Sequence, residues 1–223
     1  MDSFIPDIDR IIQGIVIFAL PVTLAITLHE AAHAYVAKQY GDLTAYAQGR
    51  VTLNPLRHID SVGTVLVPLL LLAASSPYLF GWAKPVPINF GNLRNPKRDM
   101  LWVAAAGPGA NLLMALVWAI VFKFGVAIPE SIFSEPMLLM GQAGILVNVI
   151  LLVLNLLPLP PLDGGRIAVS LLPYRIACRF SQIEPYGFII LLIFLFSGIL
   201  GAVIGPFIFA AIKLIAWLFG LQV

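Results

Sequence analysis

VGTVLVPLLLLAASSPYLF, from Val62 to Phe80, is the stretch on which the architecture turns. It is apolar and long enough to cross a bilayer, but Pro68 and Ser75-Ser76-Pro77 interrupt it. The chain around it is apolar throughout. Of 223 residues, 60% are hydrophobic and only 11% charged, where a soluble domain carries roughly 25% charged residues. Mean hydropathy is +0.97. This composition predicts an all-α polytopic membrane protein embedded in a lipid bilayer. A net charge of +2 gives no reason to expect a nucleic-acid partner. The single cysteine, Cys178, excludes an intrachain disulfide and a cysteine-rich metal site. The opening MDSFIPDIDR is acidic and lacks the positive region of a signal peptide. The expectation is one domain over residues 1–223, with a core over about 11–186 and a helical tail over about 187–223, and without internal repeats or an appended soluble module.

Outward from Val62–Phe80, three further apolar runs read as core spans: Ile11 to Ala37, Met100 to Phe124 and Met137 to Leu157. Pro158 to Tyr186 is mixed, and a short surface helix is expected from Gly165 to about Ile183. Gly187 to Gly220 is apolar again and accommodates one or two helices. Lysine and arginine collect in cytoplasmic loops, so their distribution tests the two paths of Val62–Phe80. If the stretch crosses, basic residues fall on both sides with weak bias. If it enters and turns back, loops 38–60, 81–98 and 158–186 share a side and hold Lys38, Arg50, Arg57, Lys84, Arg94, Lys97, Arg98, Arg166, Arg175 and Arg179. The opposite side then keeps Arg10 and Lys123, with Glu130 and Glu135. The second arrangement is the more polarised. It makes Val62–Phe80 a re-entrant hairpin and places the three large loops in the cytoplasm. A re-entrant backbone is permitted where protein or a water-filled cavity satisfies its polar groups.

The first span carries a reason for such a cavity. His29-Glu30-Ala31-Ala32-His33 is an HExxH pattern inside an apolar helix. Residues four apart on a helix share a face, so two imidazoles can bind one zinc ion there. The glutamate beside the first histidine can take a proton from an attacking water. The chain has only three histidines and two fall in this pattern. Ionisable groups in an apolar span are expensive and functional by default. The chemistry indicated is zinc-dependent hydrolysis of an amide bond, with one Zn2+ per chain.

Catalytic zinc usually has three protein ligands and an open position. Candidates for the third are His58 and several acids, among them Asp163 and Glu184. Asp163 lies in NLLPLPPLDGGR, Asn155 to Arg166, just after a span that ends on the same side as HExxH if Val62–Phe80 turns back. Pro158, Pro160 and Pro161 hold the chain extended there. Gly164 and Gly165 allow tight backbone geometry. A solvated Asp-Gly turn reads equally well from the local sequence, and Glu184 stays open as an alternative.

Three motifs in order add a resemblance: HEAAH in the first span, GPGAN (Gly107 to Asn111) in a middle span, and NLLPLPPLDGG after a later one. With NPLRHIDSVGT and GWAKPVPIN between them, residues 20 to 187 resemble the site-2 protease family of intramembrane zinc metalloproteases, most closely its short prokaryotic form without PDZ or CBS domains. The resemblance implies a three-helix catalytic core. It implies that His29, His33 and Asp163 bind zinc, that Glu30 is the catalytic acid/base, and that the substrate is a membrane protein cut in or near a transmembrane helix. A prokaryotic cell (inner) membrane is the implied setting, with the site opening to the cytoplasm.

Asn155 belongs to the resembling pattern and is a candidate for holding the substrate backbone or the oxyanion, as is Asn111. Asn148, Gln142 and equally Asn111 read as glue between helices. His58 reads as a loop histidine bonded to backbone. Ala83-Lys84-Pro85-Val86-Pro87-Ile88-Asn89 is extended by its prolines and could hold an unwound substrate by strand addition. The rival function is a metal-binding transporter or scaffold. Transporters commonly show internal repeats, and none is visible here.

Overall fold

The computed structural model describes residues 8–67, 69–70 and 81–221. Helix α1, Ile8–Gln39, is 32 residues long, about 48 Å at 1.5 Å per residue. It ends where Gly41 takes φ +109°, a conformation open to glycine without strain. Short elements follow: α2 (Thr44–Ala47), a 3-10 turn at Pro55–Arg57, a π-helical start at Ser61–Leu66 and a 3-10 turn at Phe90–Asn92. Then come α3 (Pro96–Ala127), α4 (Ser134–Asn155), α5 (Asp163–Leu171), α6 (Tyr174–Ser181), α7 (Glu184–Phe196) and α8 (Ile199–Phe219). No strand occurs among the described residues. Among the described residues, four helices are long and apolar enough to cross a membrane: Ile12–Gln39 of α1, then α3, α4 and α8. The bent pair α6 and α7, kinked by 61°, raises the number to five if it counts as one span. The protein is an all-α polytopic membrane protein.

The chain divides into two compact units. One comprises residues 26–110 and 156–187 and holds HExxH, all three basic loops and Asp163. Its loops are built around buried side chains. Asp42, fully buried, accepts hydrogen bonds from the backbone and hydroxyl of Thr44, the backbone of Asn89 and the amide of Asn92. It thereby ties the end of α1 to the turn before α3. Leu93 packs with Ala37 and Val103 beneath that junction. His58, 1% exposed, bonds through Nε2 to the Thr52 carbonyl, as expected of a loop histidine.

The ends of the stretch that decides the architecture lie in this unit. The Trp82 amide donates to Gly63 O at 3.1 Å, and Thr64 Oγ1 donates to Trp82 O at 2.8 Å. The indole ring occupies the place a Cβ on Gly63 would take. The chain therefore leaves and returns at one point. Pro68 and residues 71–80, where the hairpin would turn, lie outside the described residues.

The expected single helix over Gly165–Ile183 is two helices, α5 and α6. Pro173 has no N–H to continue the ladder and forces Leu172 to ψ 148°. The glycines of LDGG also act differently from the expectation. Gly164 and Gly165 are helical and buried, without positive φ. A Cβ on either would strike the backbone of Leu156 or Pro160. They are needed for close approach, not for an unusual turn.

The other unit comprises residues 1–25, 111–155 and 188–223. Trp118 of α3 packs on Ile145 and Val149 of α4 and Ile215 of α8. Its ring fills the space left by Gly144. Small residues let apolar helices approach, and buried amides join them. Asn111 Nδ2 donates to Ala25 O and to Asn148 Oδ1, while Asn148 Nδ2 donates to Gly144 O. In the tail, Gly198 at φ +77° separates the 13 residues of α7 from the 21 of α8.

Candidate metal centre

Within residues 26–110 and 156–187, one face of α1 meets the start of α5. His29 and His33, one turn apart, bring their Nε2 atoms to 3.0 Å. Asp163, the first residue of α5, places Oδ2 at 3.2 Å from each. All three residues are buried, at 8%, 6% and 8% exposure. Among the described residues this is the group of histidine, cysteine and acidic side chains whose ligand atoms could share one ion.

The donor set fits a metal. His33 Nδ1 lies 2.7 Å from the Val103 carbonyl. That carbonyl can only accept, so it fixes the proton on Nδ1 and leaves Nε2 as a lone pair. The lone pair faces a second imidazole nitrogen and a carboxylate oxygen. Asp163 Oδ2 is buried without an aligned hydrogen-bond donor, despite the two nitrogens beside it. Two acceptors and a second imidazole nitrogen converge in a buried place, a set that suits a cation. A tetrahedral ion with bonds of about 2.0–2.1 Å separates its ligands by about 3.3 Å. The observed 3.0, 3.2 and 3.2 Å are close to that spacing. Aspartate supplies the carboxylate oxygen that such a site uses.

Gly107 of α3 completes the enclosure. A Cβ there would strike His33 Nε2 and come within 2.6 Å of the His29 ring. Any side chain at 107 would fill the space beside the ligand atoms. GPGAN stood out in the sequence only for its resemblance, and a small residue there does not name the neighbour it approaches.

Glu30, half-buried, carries its Oε2 2.7 Å from the Val86 amide, which donates to it. The expected extended stretch 83–89 thus touches the proposed acid/base. Arg50 (6% exposed) holds the same stretch by donating to Lys84 O at 2.8 Å and Pro85 O at 3.3 Å. In the sequence Val86 appears only as part of that extended stretch and Arg50 only as a loop charge. The available signal was Pro85-Val86-Pro87, which leaves a single backbone N–H across three residues.

The other ligand candidates are not in this group. Glu184 pairs with Arg166 at 3.7 Å and is outside the cluster. His58 is outside it as well. Asn155, at the end of α4, donates to Leu151 O within its own helix. Asn111 is fully buried in the contacts described above.

Comparison with known proteins follows the same line. The family model of Peptidase family M50 matches residues 126–198. A Bacillus subtilis protein named "Putative zinc metalloprotease YwhC" is 38% identical over 193 residues, 84% of either chain. Rip2 of Mycolicibacterium smegmatis, given the same description, is 28% identical over 78% of this chain and 64% of its own length. Rip2 of Mycobacterium tuberculosis (strain Erdman) is 31% identical over 63% of this chain and 51% of its own. No solved structure matches significantly. At 38% identity across most of both sequences, the chain belongs to peptidase family M50.

Proposed function

We propose that this peptidase is a zinc-dependent intramembrane endopeptidase that hydrolyses a peptide bond in or near a transmembrane segment of another membrane protein. The observation that carries the reading is the convergence of His29 Nε2, His33 Nε2 and Asp163 Oδ2 to within 3.2 Å on a span-length helix, with Glu30 next in sequence to a ligand. His29, His33 and Asp163 would hold the zinc. Zinc in such a site supplies Lewis acidity, which polarises a carbonyl and acidifies water.

The chain's own residues do the rest. Val103 O keeps the His33 ring turned so that Nε2 faces inward. Gly107 keeps the space beside the ligands open. Glu30 takes the proton of the attacking water and delivers it to the leaving amine. The Val86 N–H orients its carboxylate. A membrane-embedded substrate is supported by four span-length helices, one of which carries HExxH. Release into the cytoplasm is supported by the ten basic residues in the loops of this unit. The re-entrant path of Val62–Phe80 is supported by the meeting of its two ends at Gly63, Thr64 and Trp82. Substrate contact by Asn155 and Asn111 rests on the family resemblance alone. For Asn111, hydrogen bonds to Ala25 and Asn148 favour a packing role.

The test is Glu30→Gln in protein reconstituted into lipid and given a membrane-protein substrate. Zinc should remain at one per chain while cleavage falls by about 10³-fold. Full activity in that variant refutes the assignment of Glu30. Asp163→Asn should lose zinc and Glu184→Gln should not; the reverse result would move the third ligand to Glu184.

A further inference from the structure

We infer that Arg50 is a positioning residue for Glu30, acting through the backbone of Lys84-Pro85-Val86. The inference rests on the acid/base reading of Glu30. This short stretch is hydrogen-bonded within the same unit. The Lys84 amide donates to His58 O at 2.9 Å. The Arg50 guanidinium takes the carbonyls of Lys84 and Pro85. The next amide, that of Val86, donates to Glu30 Oε2. Pro85 and Pro87 have no N–H, so Val86 carries the one amide donor of the three. The Val86 side chain is locked as well, buried against Ala34 and Ala45.

The energetics set Arg50 apart from a packing residue. Its guanidinium is buried, and among the described residues no carboxylate pairs with it. Its Nε has no hydrogen-bond partner. Burying a cation on two neutral carbonyls is unfavourable compared with leaving it in water. An apolar residue would fill this place with less penalty. What arginine supplies is a rigid planar group whose one nitrogen, Nη2, donates to two successive carbonyls at once. Two fixed peptide planes determine where the following N–H points, and here it points at Glu30. A carboxylate free to rotate loses the geometry for proton transfer, and small displacements of catalytic groups reduce rate steeply.

The test compares Arg50→Met, Arg50→Lys and Val86→Pro with the native enzyme, reconstituted in lipid. Three quantities are read: zinc per chain, kcat and KM on a membrane-protein substrate, and hydrogen exchange at the Val86 amide with and without chelator. In Arg50→Met, Val86 exchange should accelerate at least about 10-fold, with or without metal. Zinc should stay at one per chain. The kcat should fall about 10- to 100-fold with little change in KM, the range seen when groups that orient active-site residues are lost. Arg50→Lys, which keeps a donor nitrogen but carries it on a flexible stem, should fall between. Val86→Pro removes the N–H and leaves the arginine, and should lose kcat as Arg50→Met does. If Arg50→Met does not fold, Arg50→Lys and Val86→Pro decide. Native kcat in both of these, or unchanged Val86 exchange in Arg50→Lys, overturns the proposal. So does loss of kcat that tracks loss of zinc. Full activity in Glu30→Gln would instead remove the acid/base reading. An inactive Glu30→Gln beside fully active Arg50 and Val86 variants removes the positioning role alone.

Discussion

At the scale of single residues, the sequence and the structure carry different halves of the centre. HExxH was legible because helical spacing alone puts His29 and His33 on one face. Asp163 was legible as a candidate, but a solvated turn competed with it until burial and the 3.2 Å contacts were known. Gly107 was only half legible. Small residues announce close approach without naming the neighbour, and that neighbour lies more than seventy positions away. Its role gives a sharp prediction. Gly107→Ala drives a methyl into the His29 and His33 nitrogens and should weaken zinc binding by about 100-fold or more, as read by competition with a chelator. Gly109→Ala, two residues on, meets nothing within 4 Å and should bind zinc as the native protein does. Equal affinity in the two variants would mean that the space beside the ligands is not needed.

At the scale of elements, the spans were readable from composition, whereas the loops that frame the site were not. Their order comes from buried polar hubs, and a hub is a tertiary fact. Asp42 is the clearest. Burial raises its pKa, but the Thr44 hydroxyl and the amides of Thr44, Asn89 and Asn92 outweigh that and lower it below the ordinary value. A group with a depressed folded-state pKa adds stability that is complete above its unfolded pKa, about 3.9, and is lost as pH falls through the folded value. Asp42→Asn should therefore lower stability at pH 7 by about 1–3 kcal/mol. The deficit should shrink as pH falls below about 4. Thermal unfolding in detergent at several pH values measures both. A deficit independent of pH would assign the loss to packing. The break at Pro173 was legible in principle, since proline stops a helix wherever it occurs in mid-run. The apolar periodicity on either side masked it.

At the scale of the whole molecule, the charge count predicts the side of the membrane, and the chain's own chemistry can check it. Cys178 is the one cysteine and is exposed on α6, within a basic loop. A membrane-impermeant maleimide should label it in inverted vesicles and leave it unlabelled in intact cells stripped of outer layers. The opposite pattern would invert the topology and place the site on the outer face. The positive-inside count predicts this orientation from the positions of lysine and arginine alone. The division into two units was not readable. Apolar helices look alike in sequence, and which of them pack together depends on small residues and buried amides such as Asn111 and Asn148.

The knot at Gly63, Thr64 and Trp82 has one more consequence. A segment that starts and finishes at a single fixed point is interchangeable. It can be lengthened, shortened or replaced without stretching or slackening anything on either side, since closing a longer loop adds little entropic penalty. Changing the length of chain between Thr64 and Trp82 should therefore leave Glu30 and its histidine neighbours in their places.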